Sequence, residues 1–296
     1  MKTHILIILL LLGVVGCGLR MTYPNLDWLI PWYVDDYISL NQEQRSLLEK
    51  RLMTTLDWHC HTQLPAYAHM LKALANDLDD PGRPLAVERF HAYAAQLNRH
   101  WRDIKMQIGP EMADILASAS DEQIAELFEN VARRNEAYKT QYVDIPLEQL
   151  EQKRRKKMIK RVDGWFSEIT PDQKQAIDDW SAAVRPLAAD GLDYRQRVTA
   201  ELRNLLTRRT DDPDFKDAFV NLLVNVDRRR SLEYQEKIDF NMDLTVDLLV
   251  KFDRSITPAQ RSYLLKRIHT LAADFKKLSC NPAVARLSAK ESVEAM

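Results

Sequence analysis

From Leu47 onward the apolar positions of this chain return every three or four residues, the spacing that gathers them on one face of an α-helix. Leu47, Leu48, Leu52, Leu56 and His59 open the first such face, and Tyr67, Leu71 and Leu74 carry it on. Pro65 falls inside the run, where a missing N–H and a bulky ring predict a kink or a break. Asp79-Asp80-Pro81-Gly82-Arg83-Pro84 is a turn. A second face holds Phe90, Tyr93, Leu97, Trp101 and Ile104, is interrupted at Gly109-Pro110 and resumes to Leu116. A third runs through Ile124, Phe128, Val131, Asn135, Tyr138 and Tyr142, a coiled-coil-like seam with one polar position, and stops at Asp144-Ile145-Pro146.

The order then repeats. A connecting helix over 146–168 leads to a face with Ile177, Trp180, Val184 and Leu187, which Pro186 and Gly191 disturb. Arg208 to Pro213 makes a turn. One long helix is predicted through Phe215, Phe219, Leu222, Val226, Leu244, Leu248 and Phe252, and a last seam carries Leu264, Ile268, Leu271, Phe275 and Leu278 before Asn281-Pro282. Four helix starts punctuate this pattern. Thr170-Pro171-Asp172-Gln173 combines a capping hydroxyl, proline at the first helical position, an acid in the first turn and a polar third residue. Thr257-Pro258-Ala259-Gln260 nearly copies it, and Ser120 to Gln123 and Asn41 to Gln44 are looser versions. Asn41 and Ser120 are 79 residues apart, and Thr170 and Thr257 are 87 apart, so the starts pair into two similar halves. The reading is an all-α, elongated multi-helix bundle made of two duplicated three-helix units, at 40–145 and 169–282.

Composition agrees. Of seven glycines, Gly13, Gly16 and Gly18 lie near the N-terminus, leaving Gly82, Gly109, Gly164 and Gly191 for the rest, too few for a sheet protein with many tight turns. A net charge of −1 gives no general drive toward nucleic acid or anionic lipid, and no nucleic-acid partner is expected.

The first residues give an address. Lys2 precedes an apolar run from Ile5 to Val15, too short for a stable membrane span and suited to a signal-peptide core over 1–16. Val14-Val15-Gly16-Cys17 resembles a bacterial lipobox, in which cleavage before Cys17 exposes a thiol and an amine that both receive acyl chains. Several chains make such an anchor stable. Gly18, where inner-membrane lipoproteins often carry Asp, points to the periplasmic face of the outer membrane. Residues 17–39 form the anchor and tether; Tyr23, Trp28, Trp32, Tyr33 and Tyr37 are expected to pack across the base of the bundle, with the lipid headgroup region as the alternative. Residues 283–296 read as a disordered tail.

Candidate chemistry is sparse. Cys60 and Cys280 remain once Cys17 is lipidated; in an oxidising compartment they either pair as a disulfide or are buried as free thiols. His59-Cys60-His61, with His69, suggests a metal site, but adjacent-but-one histidines point about 200 degrees apart on a helix, and none is expected. Lys153-Arg154-Arg155-Lys156-Lys157, followed by Lys160-Arg161, is the densest basic run. It reads first as a solvated face paired with Glu148 and Glu151, and alternatively as a docking patch for an acidic partner or lipopolysaccharide phosphates. Asp227-Arg228-Arg229-Arg230 with Glu233 and Glu236, and Asn98-Arg99-His100, Arg102 and Asp103 opposite it in the repeat, read first as ion pairs along exposed faces and alternatively as a polar groove between the halves. Neither a nucleophile motif nor a phosphate-cradling glycine loop occurs, so no enzyme, catalytic residue or cofactor is expected.

Two resemblances follow. Cys17, the segment from Tyr23 to Leu29, Trp32, Asp35-Asp36-Tyr37, the Leu40 to Arg45 start, Trp58-His59 and Leu64-Pro65-Ala66-Tyr67 resemble an uncharacterised family of proteobacterial outer-membrane lipoproteins, which implies an address and no mechanism. The starts at 169–173 and 256–260 are similar to the Leu-Thr-x-x-Gln motifs of periplasmic chaperones of the Spy type, with Ile in place of Leu and about twice the chain length. That likeness implies a helical cradle that binds unfolded envelope proteins. The expected function is therefore a lipid-anchored protein that binds envelope proteins as a chaperone or assembly factor, with a structural or signalling lipoprotein docking through 153–161 as the alternative.

Overall fold

The computed structural model describes residues 17–280, and every regular element among them is helical. Helix α1 (Cys17–Thr22), a 3-10 turn (Tyr23–Asn25) and α2 (Leu26–Asp35) form an N-terminal arm. Then come α3 (Gln42–Leu78), α4 (Val87–Ala117), α5 (Asp121–Tyr142) and α6 (Leu147–Phe166). Helices α7 (Pro171–Ala183), α8 (Ala188–Thr207), α9 (Phe215–Val224), α10 (Leu232–Ser255) and α11 (Pro258–Leu278) complete an all-α bundle. The predicted signal peptide at 1–16 and tail at 283–296 lie outside the described residues.

All four predicted starts are complete capping boxes. Asn41, Ser120, Thr170 and Thr257 each accept the backbone N–H of the glutamine three residues on, and each glutamine's carbonyl accepts the cap's own N–H at 2.9–3.0 Å. Each such cap is worth about 1 kcal/mol, and all are local, which is why the sequence shows them.

Prolines act differently from expectation. Helix α3 runs unbroken through Pro65, and α4 runs unbroken through Pro110. Pro65 and His61 are both exposed, so the His61 carbonyl that loses its helical partner meets water, and Cys60 and Leu64 still face the core. At Gly109, a side chain would stand 3.2 Å from Val220; the glycine lets α4 and α9 approach closely. Pro186 does break its run, between α7 and α8, while Gly191 lies inside α8. Buried Asn241 fills the break, accepting the Arg185 N–H at 2.9 Å and donating to the Arg185 carbonyl at 2.8 Å.

The long helix predicted from Phe215 to Phe252 is two helices. A 3-10 turn (Val226–Arg229) separates them, and Ser231 caps α10 by accepting the Tyr234 N–H at 3.2 Å. The stretch from Asn225 to Arg230 has no apolar face to bury, so nothing rewards its staying helical. Buried Lys105 donates to the Val224 carbonyl at 2.9 Å, closing the end of α9 with a cation. Burial pushes the Lys105 amine down despite the carboxylate of Asp227 nearby.

The two sequence halves share their cores. Helix α11 packs along α3, and Cys60, Leu64, Tyr67 and Ala75 meet Leu264, Ile268, Leu271 and Phe275. Helix α5 packs on α8 and α9 on α4, joining Ala113 and Phe128 to Leu205, Leu206, Phe215 and Phe219. A third cluster joins Met158, Ile177, Leu248 and Phe252.

Candidate functional site

The glutamines of the capping boxes do more than cap. Gln44 donates to the Gln123 side-chain oxygen at 3.0 Å, and Gln123 donates back to that of Gln44 at 2.7 Å. Gln173 and Gln260 exchange the same pair at 3.0 and 2.8 Å. Each amide also donates to the carbonyl two residues before its partner's cap: Gln44 to Ser118, Gln123 to Ser39, Gln173 to Ser255 and Gln260 to Glu168. Four helix starts are thus welded into two pairs, α3 with α5 and α7 with α11. An amide is required, because it alone both donates and accepts; a glutamate would complete a capping box but donate nothing. The choice of Gln at all four third positions was the sequence signal for this cross-pairing, which the capping pattern alone did not reveal.

From these paired starts α11 runs back along α3, and α5 runs back along α8. The α3/α11 seam is closed. The Cys60–Cys280 disulfide joins them with Cα atoms 5.2 Å apart. Tyr67 stacks edge-on against Phe275 at 5.4 Å, while Trp165 of α6 and Leu19 and Tyr23 of the arm cover the seam. The Tyr23 hydroxyl lies 3.1 Å from His59 Nδ1, and burial pushes the His59 imidazole down to about 4 and the Tyr23 phenol up to about 12.

The α5/α8 seam is packed at Phe128 and bridged by Arg195 over the Tyr138 ring at 4.5 Å, with a groove along it. Arg209 ties the start of α5 down, donating to the Ala119 carbonyl at 2.7 and 2.9 Å and pairing with Asp121 at 2.7 Å. Past that point a groove of about 690 Å³ runs between the helices. Leu192 gives it apolar surface, while Phe128 is buried at its base with the Arg203 guanidinium 4.0 Å above the ring. Ala132 and Ala200 give it width, and Asn135, Gln196, Asn204, Thr199 and Thr207 line it with amides and hydroxyls. Glu136 and Lys139 sit on its α5 wall.

Other sequence candidates fare unevenly. In the Asp227–Arg230 run, Arg229 pairs with Glu201 at 2.6 Å and Arg230 with Asp227. The basic run on α6 is divided. Arg154 points inward and donates to the Val184 carbonyl at 3.3 Å, and burial pushes its guanidinium down. Arg155 pairs with Asp178 of α7, not with Glu148 or Glu151, and that pairing raises its guanidinium. Lys153, Lys156, Lys157 and Lys160 are exposed, with Lys157 5.8 Å from the Tyr142 ring. Among the described residues, Cys60, His61 and Cys280 are the one group of three side chains close enough to share a metal, and two of them are spent in the disulfide. His61 Nδ1 instead lies 2.8 Å from the Asp57 carbonyl, and His69 is exposed. In the tether, Tyr23 and Tyr37 are half-buried, but Trp28, Trp32 and Tyr33 are exposed, so packing accounts for only part of the aromatic segment.

Residues 36–235 match the family of unknown function DUF6279. The chain belongs to this family. The matched span holds Gln44, Gln123, Gln173 and both walls of the α5/α8 groove, and ends before α11 and Cys280. Neither the curated proteins nor the solved structures contain a match to the chain. No helix among the described residues is long and apolar enough to cross a membrane.

Proposed function

We propose that this member of DUF6279 is a non-enzymatic lipoprotein, anchored through Cys17 to the periplasmic face of the outer membrane, that binds segments of envelope proteins as a chaperone or assembly factor. The observation that carries the binding reading is the α5/α8 groove. The amides of Asn135, Gln196 and Asn204 offer the donors and acceptors that a polypeptide backbone needs, and half-buried Leu192 offers apolar contact for side chains. Two glutamine-paired sets of helix starts support the accompanying view that the chain arose by internal duplication, one seam being closed for stability and the other left free to bind. The lipobox at Cys17 supports the address.

The test is photocrosslinking in cells with a reactive residue at Ala132 or Ala200, using Lys72 on the exposed side of α3 as control. Many unrelated envelope proteins captured at the groove alone mean a chaperone; one recurring partner means a dedicated assembly factor. Capture equal to that at Lys72 removes the reading. The alternative, docking of an acidic partner or lipopolysaccharide phosphates, rests on Lys153, Lys156, Lys157 and Lys160 and no longer on Arg154 or Arg155, which are engaged within the chain. It requires salt-sensitive binding that disappears when Lys153, Lys156 and Lys157 are changed to Gln.

A further inference from the structure

Helix α2 presents Trp28 and Trp32, one helical turn apart, to solvent at 56% and 61% exposure, while Pro31 beside them is buried. Two exposed indoles on a ten-residue helix form an apolar face with a polar rim. Indoles favour the boundary between headgroups and acyl chains, where the ring is shielded and the N–H stays wet. This face is held rigidly. Arg20 of α1 donates to the buried Asp274 carboxylate at 2.7 Å, and the Tyr23 hydroxyl meets His59 at 3.1 Å, so the arm is clamped on the closed seam both before and at the 3-10 turn. Of the neighbouring acids, Asp35 pairs with Arg45 and Asp36 with Arg134 at 2.9 Å, while Asp27 in the first turn of α2 accepts the Trp28 N–H at 3.0 Å. The exposed face carries no basic cluster of its own.

We infer that the Trp28/Trp32 face of α2 seats in the interfacial layer of a lipid bilayer, fixing the orientation of the whole bundle on the membrane. This rests on the Cys17 anchor reading, which places the bilayer eleven residues before Trp28. Because indole partitioning and not charge drives it, the contact is independent of anionic lipid and of salt. The seating would hold the basic face of α6 and the α5/α8 groove at fixed heights above the surface, where a lipid on a free tether would let the domain tumble.

The test uses the full mature protein, purified from membranes and reconstituted in phosphatidylcholine vesicles with bromine at shallow acyl positions. Tryptophan emission is compared between wild type and a Trp28→Phe/Trp32→Phe double variant, which keeps the fold and removes the two reporters. Quenching in the wild type that falls by more than half in the double variant, and is the same at low and high salt, is the expected result. Equal quenching in both proteins, or none in either, overturns the inference. The mass of the N-terminal peptide reports separately whether Cys17 carries acyl chains, so a missing anchor and a dry aromatic face are distinct outcomes.

Discussion

Along α3 and α11 the facing positions are Leu64, Tyr67, Ala75, Ile268, Leu271 and Phe275, and the helices close on one another; along α5 and α8 only Phe128 packs into the core, and Ala132, Asn135, Gln196, Ala200 and Asn204 line a groove. Both seams begin at a capping box locked to another by a reciprocal glutamine pair, and both run antiparallel. The scaffold is common to them, so the difference lies in the side chains. Large apolar residues draw the first pair together and invite a disulfide; small and polar residues in the second leave space that water, or a ligand, fills.

The largest expected effect separates the seams by covalent linkage. The Cys60–Cys280 bond closes a loop of 220 residues, and the chain-entropy account puts its contribution at about 5 kcal/mol as an upper figure. Reduction, or the Cys60→Ser/Cys280→Ser variant, lowers the urea midpoint and loosens α11 first. Hydrogen exchange should then rise in α11 while α5 keeps its protection. Equal loosening of both helices would show that the disulfide acts on the whole bundle and that the seams are not independent.

The glutamine pairs come next. Gln173 and Gln260 are 1% and 5% exposed, whereas Gln123 of the other pair is half-exposed. Gln260→Glu keeps a capping carbonyl but removes the donors to Gln173 and Glu168, leaving buried groups unpartnered, at a cost of about 2–3 kcal/mol. Gln123→Glu costs about 1 kcal/mol, because water reaches the vacated positions. Chemical denaturation of the two variants checks the ratio.

Between pH 7 and pH 5 acid should act first on the histidines packed around Tyr67 of the closed seam, His59 and His100. Burial holds the folded His59 imidazole at about 4, against an unfolded value near 6.5. Above pH 6.5 the ring is neutral in both states and stability is at its full value. As pH falls toward 4 the unfolded chain takes up a proton that the folded one refuses, so stability declines through that window. The ring is partly exposed, so about 1–2 kcal/mol is expected. Denaturation midpoints at pH 7 and pH 5 measure it; His59→Gln should reduce the slope, and the remainder belongs to His100, which burial also pushes down. The groove between α5 and α8 is lined by no histidine and adds nothing to it.

These contrasts also mark what the sequence could reveal. The caps at Asn41, Ser120, Thr170 and Thr257 were legible because a capping box is written in four consecutive residues. The all-α class was legible from periodicity and the shortage of glycine. Pro65 does not break α3 and Pro110 does not interrupt α4, because a proline's effect depends on whether the orphaned carbonyl meets water, and Pro186 does break its run, where the Asn241 amide that fills the break lies 56 residues away. The pairing of α3 with α11 and of α5 with α8 joins residues from opposite halves, and no local pattern encodes it. The groove was missed for the same reason: Ala132 and Ala200 look like ordinary exposed helix positions until their helices are set side by side.

The smallest expected effect on stability is the sharpest on function. Ala200 is exposed on the groove wall, and Ala272 of α11 is buried, one turn from Ile268 and Phe275 of the closed seam. A leucine at Ala272 must displace Ile268, Phe275 or their partners on α3, and overpacking of this kind costs about 1–3 kcal/mol. Ala200→Leu pushes its side chain into open space and should change stability by less than about 0.5 kcal/mol. If the groove binds polypeptide, the same leucine blocks it, so crosslinking from Ala132 should fall several-fold in a protein whose melting curve is unchanged. A fall in stability with Ala200→Leu would mean the groove closes in solution. Unchanged stability with undiminished crosslinking would mean that clients bind elsewhere on the bundle and that the open seam is only a gap in the packing.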